Sequence, residues 1–290
     1  MSFLSCEEML AAAHTQKISL AEAVLRSDLA ESRLTEEQSR HTMRHLWHVM
    51  EATSREYDPA QRSRSGLSGG DAAKVEQAHK AGRSYGGDYL AEVTAEALKT
   101  AECNACMKRI VAAPTAGSCG VLPAVLLPLA RVGEADEDAI CEALYVAAGF
   151  GQVIAARATL AGAEGGCQAE VGAASAMTAA ALCHLKGGTP EQCAAAAAMA
   201  LGNLLGLVCD PVAGLVEVPC VKRNVVGAVN AVACANMALA GVDYAIPCDE
   251  VIDAMRAVGD ALPASLRETG AGGLAATPTG RQVARQMAGQ

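Results

Sequence analysis

The chain has 290 residues, a formal net charge of −9 and 51% apolar residues, which is enough for a substantial buried core. The negative charge and the absence of a block of lysine or arginine argue against a nucleic-acid-binding protein, whose affinity depends on neutralising phosphates. Only 3% of the residues are aromatic, so the core must come from alanine, valine, leucine, glycine and methionine. Alanine is the best helix former and is depleted in strands. The composition therefore predicts an all-α fold, a compact bundle of closely packed helices that are rich in small residues.

Twelve cysteines are distributed along the chain. The N-terminal residues are acidic where a secretory signal needs a basic region and then an apolar run, so we expect a cytoplasmic protein with free thiols. Two apolar stretches, Cys193–Cys209 and Val225–Val242, approach the length of a membrane span. Both contain asparagine and neither has a flanking aromatic belt. We interpret them as buried helices and expect no membrane contact.

Two capping-box patterns predict the starts of helices near the N-terminus. Ser19 is followed by Glu22, and Thr35 by Gln38, so that each pair can satisfy free amide groups at a helix start. The second helix carries three histidines, at positions 41, 45 and 48. No acid or cysteine partner is evident nearby, so we interpret them as solvated or core residues rather than metal ligands.

A polar, glycine-rich loop runs from Tyr57 to Gly70 and precedes a helix that we predict over Ala72–Ala81. Its last residues before the helix include Ser68 and Gly69. A glycine loop that opens a helix offers amide donors and the positive end of the helix dipole, which suits an anion such as a carboxylate. The alternative is an ordinary loop and N-cap without a ligand.

A long helix is predicted over Gly87–Ile110, and it contains Cys103 and Cys106. Two cysteines at this spacing can form a redox dithiol or half of a metal site. No second pair at zinc spacing follows, so we interpret both as buried helix thiols.

The segment Ala112–Gly120 breaks the helical pattern with a proline and two glycines. It contains Thr115 and Ser118, whose hydroxyl groups could hydrogen-bond a substrate, as could the amides of the loop. The alternative is a simple connector between two helices.

The second half of the chain predicts five further helices made mostly of small residues. Their bounds are Asp136–Ile154, Val171–Leu185, Thr189 to about Leu207, Asn224–Leu239 and Asp249–Val258. Thr189 has the most complete start signal, since a proline follows it and a capping-box glutamine stands three residues on. For the C-terminal remainder of the chain we predict a glycine-rich tail with one or two weak turns.

Three cysteines, Cys167, Cys209 and Cys220, stand beside glycine or proline in this otherwise helical half. Glycine and proline let the backbone approach an inorganic centre closely and leave amide N–H groups unpaired. Three thiolates on one face of a cavity can hold an iron–sulfur cluster. The spacing of these cysteines fits neither a zinc ribbon nor a ferredoxin, so spacing alone is weak evidence for a cluster.

Seven segments carry a resemblance to a known family. They are Ser68–Ala72, Ala113–Ser118, Gly165–Gly172, Cys209–Gly214, Val218–Asn224, Ile246–Val251 and Leu266–Leu274. With them the chain resembles the iron–sulfur-dependent L-serine dehydratases, specifically the large catalytic α chain of the two-chain form. The resemblance covers roughly residues 62–280.

The resemblance implies that Cys167, Cys209 and Cys220 are the ligands of a [4Fe–4S] cluster, placed at helix ends and in glycine-rich loops. It also implies that the substrate lies against two loops, with candidate binding residues Ser68, Gly69, Gly70, Thr115 and Ser118. We treat residues 1–290 as a single catalytic helical domain. Residues 1–60 form N-terminal helices, 61–280 form the core that binds the cluster and the substrate, and 281–290 form a tail.

The activity that the resemblance implies is the pyridoxal-independent deamination of L-serine to pyruvate and ammonia. Three protein ligands leave one of the four irons open, and an open iron can act as a Lewis acid on the hydroxyl of serine. The base that removes the Cα proton is not identified. Lys222 is a candidate because it follows a ligand by two residues. Equally, Lys222 or Arg223 could pair structurally or offset the negative charge of the cluster.

The resemblance further implies a small β chain as a partner and an oligomeric enzyme. Related fused enzymes carry an additional small domain, which two-chain members supply as that separate chain. Two alternatives stay open: an L-cysteine desulfhydrase of the same fold, and a non-catalytic iron–sulfur redox sensor. The assembly of subunits and the strictness for L-serine over L-threonine are left open.

Overall fold

The computed structural model of the chain describes residues 3–289. Within that range there are thirteen α-helices and no strand, which confirms the all-α prediction. The helices are α1 (Cys6–Gln16), α2 (Leu20–Ser32), α3 (Glu36–Arg55), α4 (Asp71–Lys80), α5 (Gly87–Ala105), α6 (Val121–Arg131), α7 (Glu137–Arg157), α8 (Gly162–Gly165), α9 (Ala173–Leu185), α10 (Pro190–Gly202), α11 (Cys220–Leu239), α12 (Cys248–Ala261) and α13 (Pro278–Ala288).

Helix α9 is the centre of the bundle. Every residue from Ala173 to Cys183 is buried, and the helix packs against α6, α7, α10 and α11. A helix that is apolar on all sides must be surrounded by other helices. Its many alanines allow those neighbours to approach closely, as the composition predicts.

Close packing also depends on glycine. Gly149 of α7 faces α1 and α2, and a Cβ atom there would lie 2.5 Å from a methyl carbon of Val24 and 2.8 Å from the sulfur of Met9. No side chain fits that space without moving its neighbours.

The three helix starts predicted from capping residues are confirmed. The hydroxyl oxygens of Ser19, Thr35 and Thr189 each accept a hydrogen bond from the backbone N–H three residues later. At Thr35 and Thr189 the glutamine three residues on also accepts from the backbone of the capping residue, which completes the capping box.

Several predicted helix ends are wrong. Helix α5 ends at Ala105 rather than Ile110, because Met107 adopts a left-handed conformation with φ 60°. Cys106 therefore caps the helix and is only half-buried, whereas Cys103 is buried in it. The chain leaves α10 at Gly202 and turns through Gly206, which has φ 83°.

Two helix starts also differ from the prediction. Helix α11 begins at Cys220, directly after Pro219, and not at Asn224. The tail contains α13 in addition to 3-10 turns. The start of α13 has the same signal as that of α10, a capping threonine (Thr277) followed by a proline, so the sequence did contain it.

Helix α7 is the one described helix that is long and apolar enough to cross a membrane by length and composition, and 67% of its most apolar stretch is buried in the bundle. It packs against α2, α3 and α9. The three histidines of α3 are exposed; one contacts Arg109 and another contacts Glu137.

A buried ion network joins α3, α5 and α6. Glu96 is 1% exposed, and its carboxylate accepts hydrogen bonds from Arg131 at 2.8 Å, from Lys99 at 2.9 Å and from Ser54. Burial alone would raise the pKa of Glu96, but these donors outweigh it and hold the pKa below its ordinary value of 4.5.

We expect Glu96→Gln to lower the free energy of unfolding by about 2 kcal/mol, because it removes a buried carboxylate that accepts charge-assisted hydrogen bonds from Arg131 and Lys99. Urea denaturation at pH 7 measures the change. The matched control is Glu92→Gln, whose half-exposed carboxylate lies 3.9 Å from the same arginine and should contribute about 0.5 kcal/mol or less.

The difference between Glu96→Gln and the wild type should also depend on pH. The folded-state pKa is lower than the unfolded value, so the carboxylate stabilises the fold fully above about pH 4.5. This contribution is lost as the pH falls through the folded-state pKa. A difference that is the same at pH 7 and in acid would contradict this account.

Candidate active site

Cys167 lies at the start of a π-helical turn, Gln168–Gly172, that leads into α9. The turn is anchored by Gln168, which is fully buried and makes hydrogen bonds to other segments through both its backbone and its side chain. Its N–H donates to the carbonyl of Leu207, and its side chain bonds the carbonyl of Met255 and the N–H of Gly206. These contacts fix the position of Cys167 between α12 and the turn after α10.

Cys209 lies in an extended segment beside Arg267. Its N–H donates to the carbonyl of Leu266 at 2.9 Å, and its carbonyl accepts from the N–H of Glu268 at 2.7 Å. The segment around residue 267, which lies in one of the seven resembling segments, therefore forms part of the same site.

Cys220 is the first residue of α11, and Asn224 one turn later connects it to the loop before α6. Asn224 is 1% exposed, and its side chain donates to the carbonyls of Cys220 and Gly117 and accepts from the N–H of Gly120. The loop that carries Thr115 is thereby held against the start of α11.

The three cysteines converge. Their exposed fractions are 2% for Cys167, 3% for Cys209 and 7% for Cys220. Burial raises the pKa of Cys167 to about 11 and that of Cys220 to about 12, and it raises the pKa of Cys209 as well. The thiol of Cys167 adds to the rise at both other cysteines, and Cys220 adds to that at Cys209, because the three groups are close enough to repel one another as thiolates.

Arg223 supplies positive charge at this site. Its guanidinium donates to the carbonyl of Val208 at 2.8 Å and to the carboxylate of Asp210 at 2.9 Å, and it lies close enough to Cys167 to lower the pKa of that thiol. Asp210 in turn accepts from the N–H of Leu274 at 2.7 Å. Arg223 therefore joins the segments of Cys167 and Cys209 and opposes the burial effect on the pKa of Cys167.

Glu170 also lies at this site and was not among the residues predicted from the sequence. Its Oε1 accepts a hydrogen bond from the hydroxyl of Thr115 at 2.7 Å, and the Thr115 hydroxyl also lies 3.1 Å from that of Ser118. A Cβ atom on Gly162 would lie 2.6 Å from Oε2 of Glu170 and 3.1 Å from the sulfur of Cys209. The signal in the sequence was that Glu170 is the only acidic residue between positions 165 and 183.

Of the predicted substrate-binding residues, Thr115 and Ser118 are thus brought to the cysteines. Ser68 is buried, at 2% exposed, and its hydroxyl has no hydrogen-bond partner among the described residues. Gly69 and Gly70 have φ of 122° and 80°, and a Cβ atom on Gly69 would lie 2.3 Å from the carbonyl oxygen of Gln61. Only glycine fits that tight turn.

The loop that contains Ser68 is attached to the segment before Cys220. Ser63 and Ser65 donate to the buried carboxylate of Glu217 at 2.6 and 2.8 Å. At the start of α4, the N–H groups of Asp71 and Ala72 donate to the carboxylate of Glu102, at 2.8 and 3.5 Å. The chain itself therefore supplies an anion at this helix start.

Lys222 points away from the cysteines. Its amine lies 2.7 Å from the carboxylate of Asp71, and 52% of its side chain is exposed. This ion pair supports the interpretation in which Lys222 has a structural role, and it does not place the amine at the site of Cys167.

The donor set suits an iron–sulfur cluster. The three buried side chains are thiols, which are the usual ligands of such clusters. Arg223 is close enough to Cys167 to lower the pKa of its thiol, and a positive charge there opposes the negative charge of thiolate ligands. Among residues 3–289, no three His, Cys, Asp or Glu side chains form a site for a single metal ion.

A family profile described as "Serine dehydratase alpha chain" matches residues 15–275. The chain belongs to this family. The resemblance carried by the seven segments is therefore confirmed.

Individual relatives agree with the family profile. The chain is 46% identical to the probable L-serine dehydratase alpha chain of Bacillus subtilis, with 99% of this chain and 96% of the relative aligned. The L-serine dehydratase alpha chain of Peptoniphilus asaccharolyticus is 43% identical, with 98% and 97% aligned. The L-serine dehydratase of Mycobacterium bovis is 37% identical, and the alignment covers 95% of this chain but 61% of the relative.

We expect Asn224→Ala to lower the free energy of unfolding by about 2 kcal/mol, because it leaves a buried N–H and two carbonyls without their partner. It should also increase hydrogen exchange at Gly120, whose N–H loses its acceptor. Asn236→Ala, on the exposed face of the same helix, is the control and should change neither quantity. Equal effects of the two substitutions would show that Asn224 does not hold the loop.

Proposed function

We propose that this chain is the catalytic α chain of an L-serine dehydratase, a lyase that converts L-serine to pyruvate and ammonia. The three relatives support this activity, since each is named as an L-serine dehydratase or as the alpha chain of one. The observation that carries the proposal is the convergence of Cys167, Cys209 and Cys220, which are far apart in the sequence, at one buried site.

In this proposal Cys167, Cys209 and Cys220 hold a [4Fe–4S] cluster. When bound, the cluster supplies an iron without a protein ligand, and that iron acts as a Lewis acid toward the hydroxyl group that serine loses. The proposal requires no pyridoxal cofactor, and the lysine nearest in sequence to a cysteine ligand, Lys222, is paired with Asp71.

The protein contributes a fixed and largely dry environment. Arg223 opposes the negative charge of the thiolates through its closeness to Cys167, and Asp210 holds the guanidinium in place. Asn224 keeps the loop of Thr115 and Ser118 against the same site. The burial of all three thiols excludes water, which strengthens electrostatic interactions with the substrate.

Candidate substrate contacts come from two loops. Thr115 lies next to Glu170 at the cysteine site, and Ser118 positions the Thr115 hydroxyl. The buried Ser68 hydroxyl without a partner, with Gly69 and Gly70 beside it, is a second candidate, because a buried hydroxyl is normally hydrogen-bonded. The group that accepts the Cα proton is left unassigned.

We also propose a small β chain as partner, in a cytoplasmic enzyme of several subunits. The chain spans nearly the whole of the alpha chains it matches but 61% of the Mycobacterium bovis enzyme. The unmatched part of that longer relative corresponds to sequence that a partner would provide in a two-chain enzyme.

We expect Cys167→Ser, Cys209→Ser and Cys220→Ser each to lose most of the bound iron and acid-labile sulfide and to lower pyruvate formation by at least about 100-fold, because removal of a first ligand destabilises a cluster. The assay uses anaerobically purified chain with the partner chain added. Cys106→Ser, at a half-buried thiol on α5, is the control and should keep both properties.

The same assay separates the alternatives. A desulfhydrase would be identified if the chain contained iron and sulfide and formed pyruvate from L-cysteine but not from L-serine. A sensor would be identified by a cluster that forms, yields no pyruvate and shows no spectral change when L-serine is added. Absence of iron in the anaerobic wild type would refute the cluster.

A further inference from the structure

Glu170 is a half-buried carboxylate that has no cationic partner among residues 3–289. Its one hydrogen bond is the donation from Thr115 to Oε1, so Oε2 has no donor in the part of the chain that the structure describes. Burial raises its pKa, the Thr115 hydroxyl opposes that effect, and the charge of Glu268 adds to it. Buried carboxylates are normally paired with a cation or several donors.

The two cationic side chains in the first turn of α11 have other partners. Arg223 donates to Asp210 and Val208, and Lys222 pairs with Asp71. The charged group that affects the pKa of Glu170 is the carboxylate of Glu268, which also attracts positive charge.

Glycines surround both oxygens of this carboxylate. A Cβ atom on Gly117 would lie 2.9 Å from Oε1, and one on Gly162 would lie 2.6 Å from Oε2. At Gly162 the same atom would lie 3.1 Å from the sulfur of Cys209. Because these glycines have no side chain, the carboxylate lies close to the backbone on both sides, and Oε2 lies near the sulfur of a proposed cluster ligand.

We propose that Glu170 binds the α-ammonium group of the amino-acid substrate, and that Thr115 orients the carboxylate for this contact. The inference rests on the proposed function, since it assumes that an amino acid binds beside Cys209. A hydrogen bond between an ammonium and a carboxylate is charge-assisted and satisfies the free Oε2. Glu170 thus selects amino acids over hydroxy acids, because a ligand without the ammonium leaves the carboxylate unpaired.

The test is Glu170→Gln in the assembled, anaerobic enzyme with its partner chain. We expect the KM for L-serine to rise about 100-fold, which corresponds to the loss of a hydrogen bond to a charged group, while kcat falls less than tenfold. Glu164→Gln, which removes an exposed carboxylate from α8, is the matched control and should leave both constants unchanged. Iron content is measured for each variant, so that loss of the cluster is not read as loss of binding.

A second measurement compares L-alanine with propanoate, which lacks the amino group. Neither ligand has a β-hydroxyl to lose, so this readout does not depend on turnover. Calorimetry on the wild type should show much tighter binding of L-alanine. In Glu170→Gln this preference should shrink about 100-fold, with the affinity for propanoate unchanged or improved.

Thr115→Val provides an independent variant if Glu170→Gln fails to fold or loses iron. It removes the hydroxyl that orients Glu170 and should raise the KM for L-serine about tenfold, with a smaller change in kcat. The inference would be overturned if Glu170→Gln kept the wild-type preference for the ligand with an amino group. If Thr115→Val must replace that variant, the same outcome in Thr115→Val would overturn it. So would a collapse of kcat at unchanged KM, which would indicate proton transfer by Glu170.

Failure of the proposed function gives a different result. If the wild type holds a cluster but forms no pyruvate from L-serine, the dehydratase activity is refuted. The calorimetric comparison of L-alanine with propanoate then still decides the role of Glu170. Equal affinity for both in the wild type would overturn the inference independently of the reaction.

Discussion

The hydrogen bonds made by the first turn of α11 hold the candidate site together. Arg223 joins the segments of Cys167 and Cys209, and Asn224 joins Cys220 to the loop that carries Thr115. Both side chains are largely buried, so the bonds form in a low-dielectric environment where an unpaired group would be costly. Parts of the chain about a hundred residues apart reach one site because one helix start supplies donors in several directions.

Small residues allow close approach both between the helices of the bundle and between the polar groups of the candidate site. Gly149 lets α7 approach α1 and α2, and Gly162 lets the carboxylate of Glu170 approach Cys209. In each case the absence of a side chain creates proximity that any larger residue would prevent. A core built from alanine and glycine can therefore bring polar groups from separate helices into contact with few aromatic residues.

The helix starts were predictable because capping is local. Thr35 and Thr189 satisfy free amides within four residues of themselves, so the pattern is readable without knowledge of the fold. The helix ends were less predictable. A single left-handed residue at Met107 ends α5 five residues early and moves Cys106 to a cap, and methionine has no strong preference for that conformation.

The sequence by itself determined the helical class, the main helix starts and, through its resemblance to a family, the three cysteines of interest. These properties depend on composition, on local capping and on short motifs. The tertiary structure decided that Lys222 turns to Asp71 while Arg223 turns to Asp210 beside Cys209, and that Thr115 donates to Glu170. Thr115 and Glu170 are 55 residues apart, and their contact depends on how α9 and α11 pack against the loop between α5 and α6. Local sequence preferences carry no information about such distances, because they describe each segment without its neighbours.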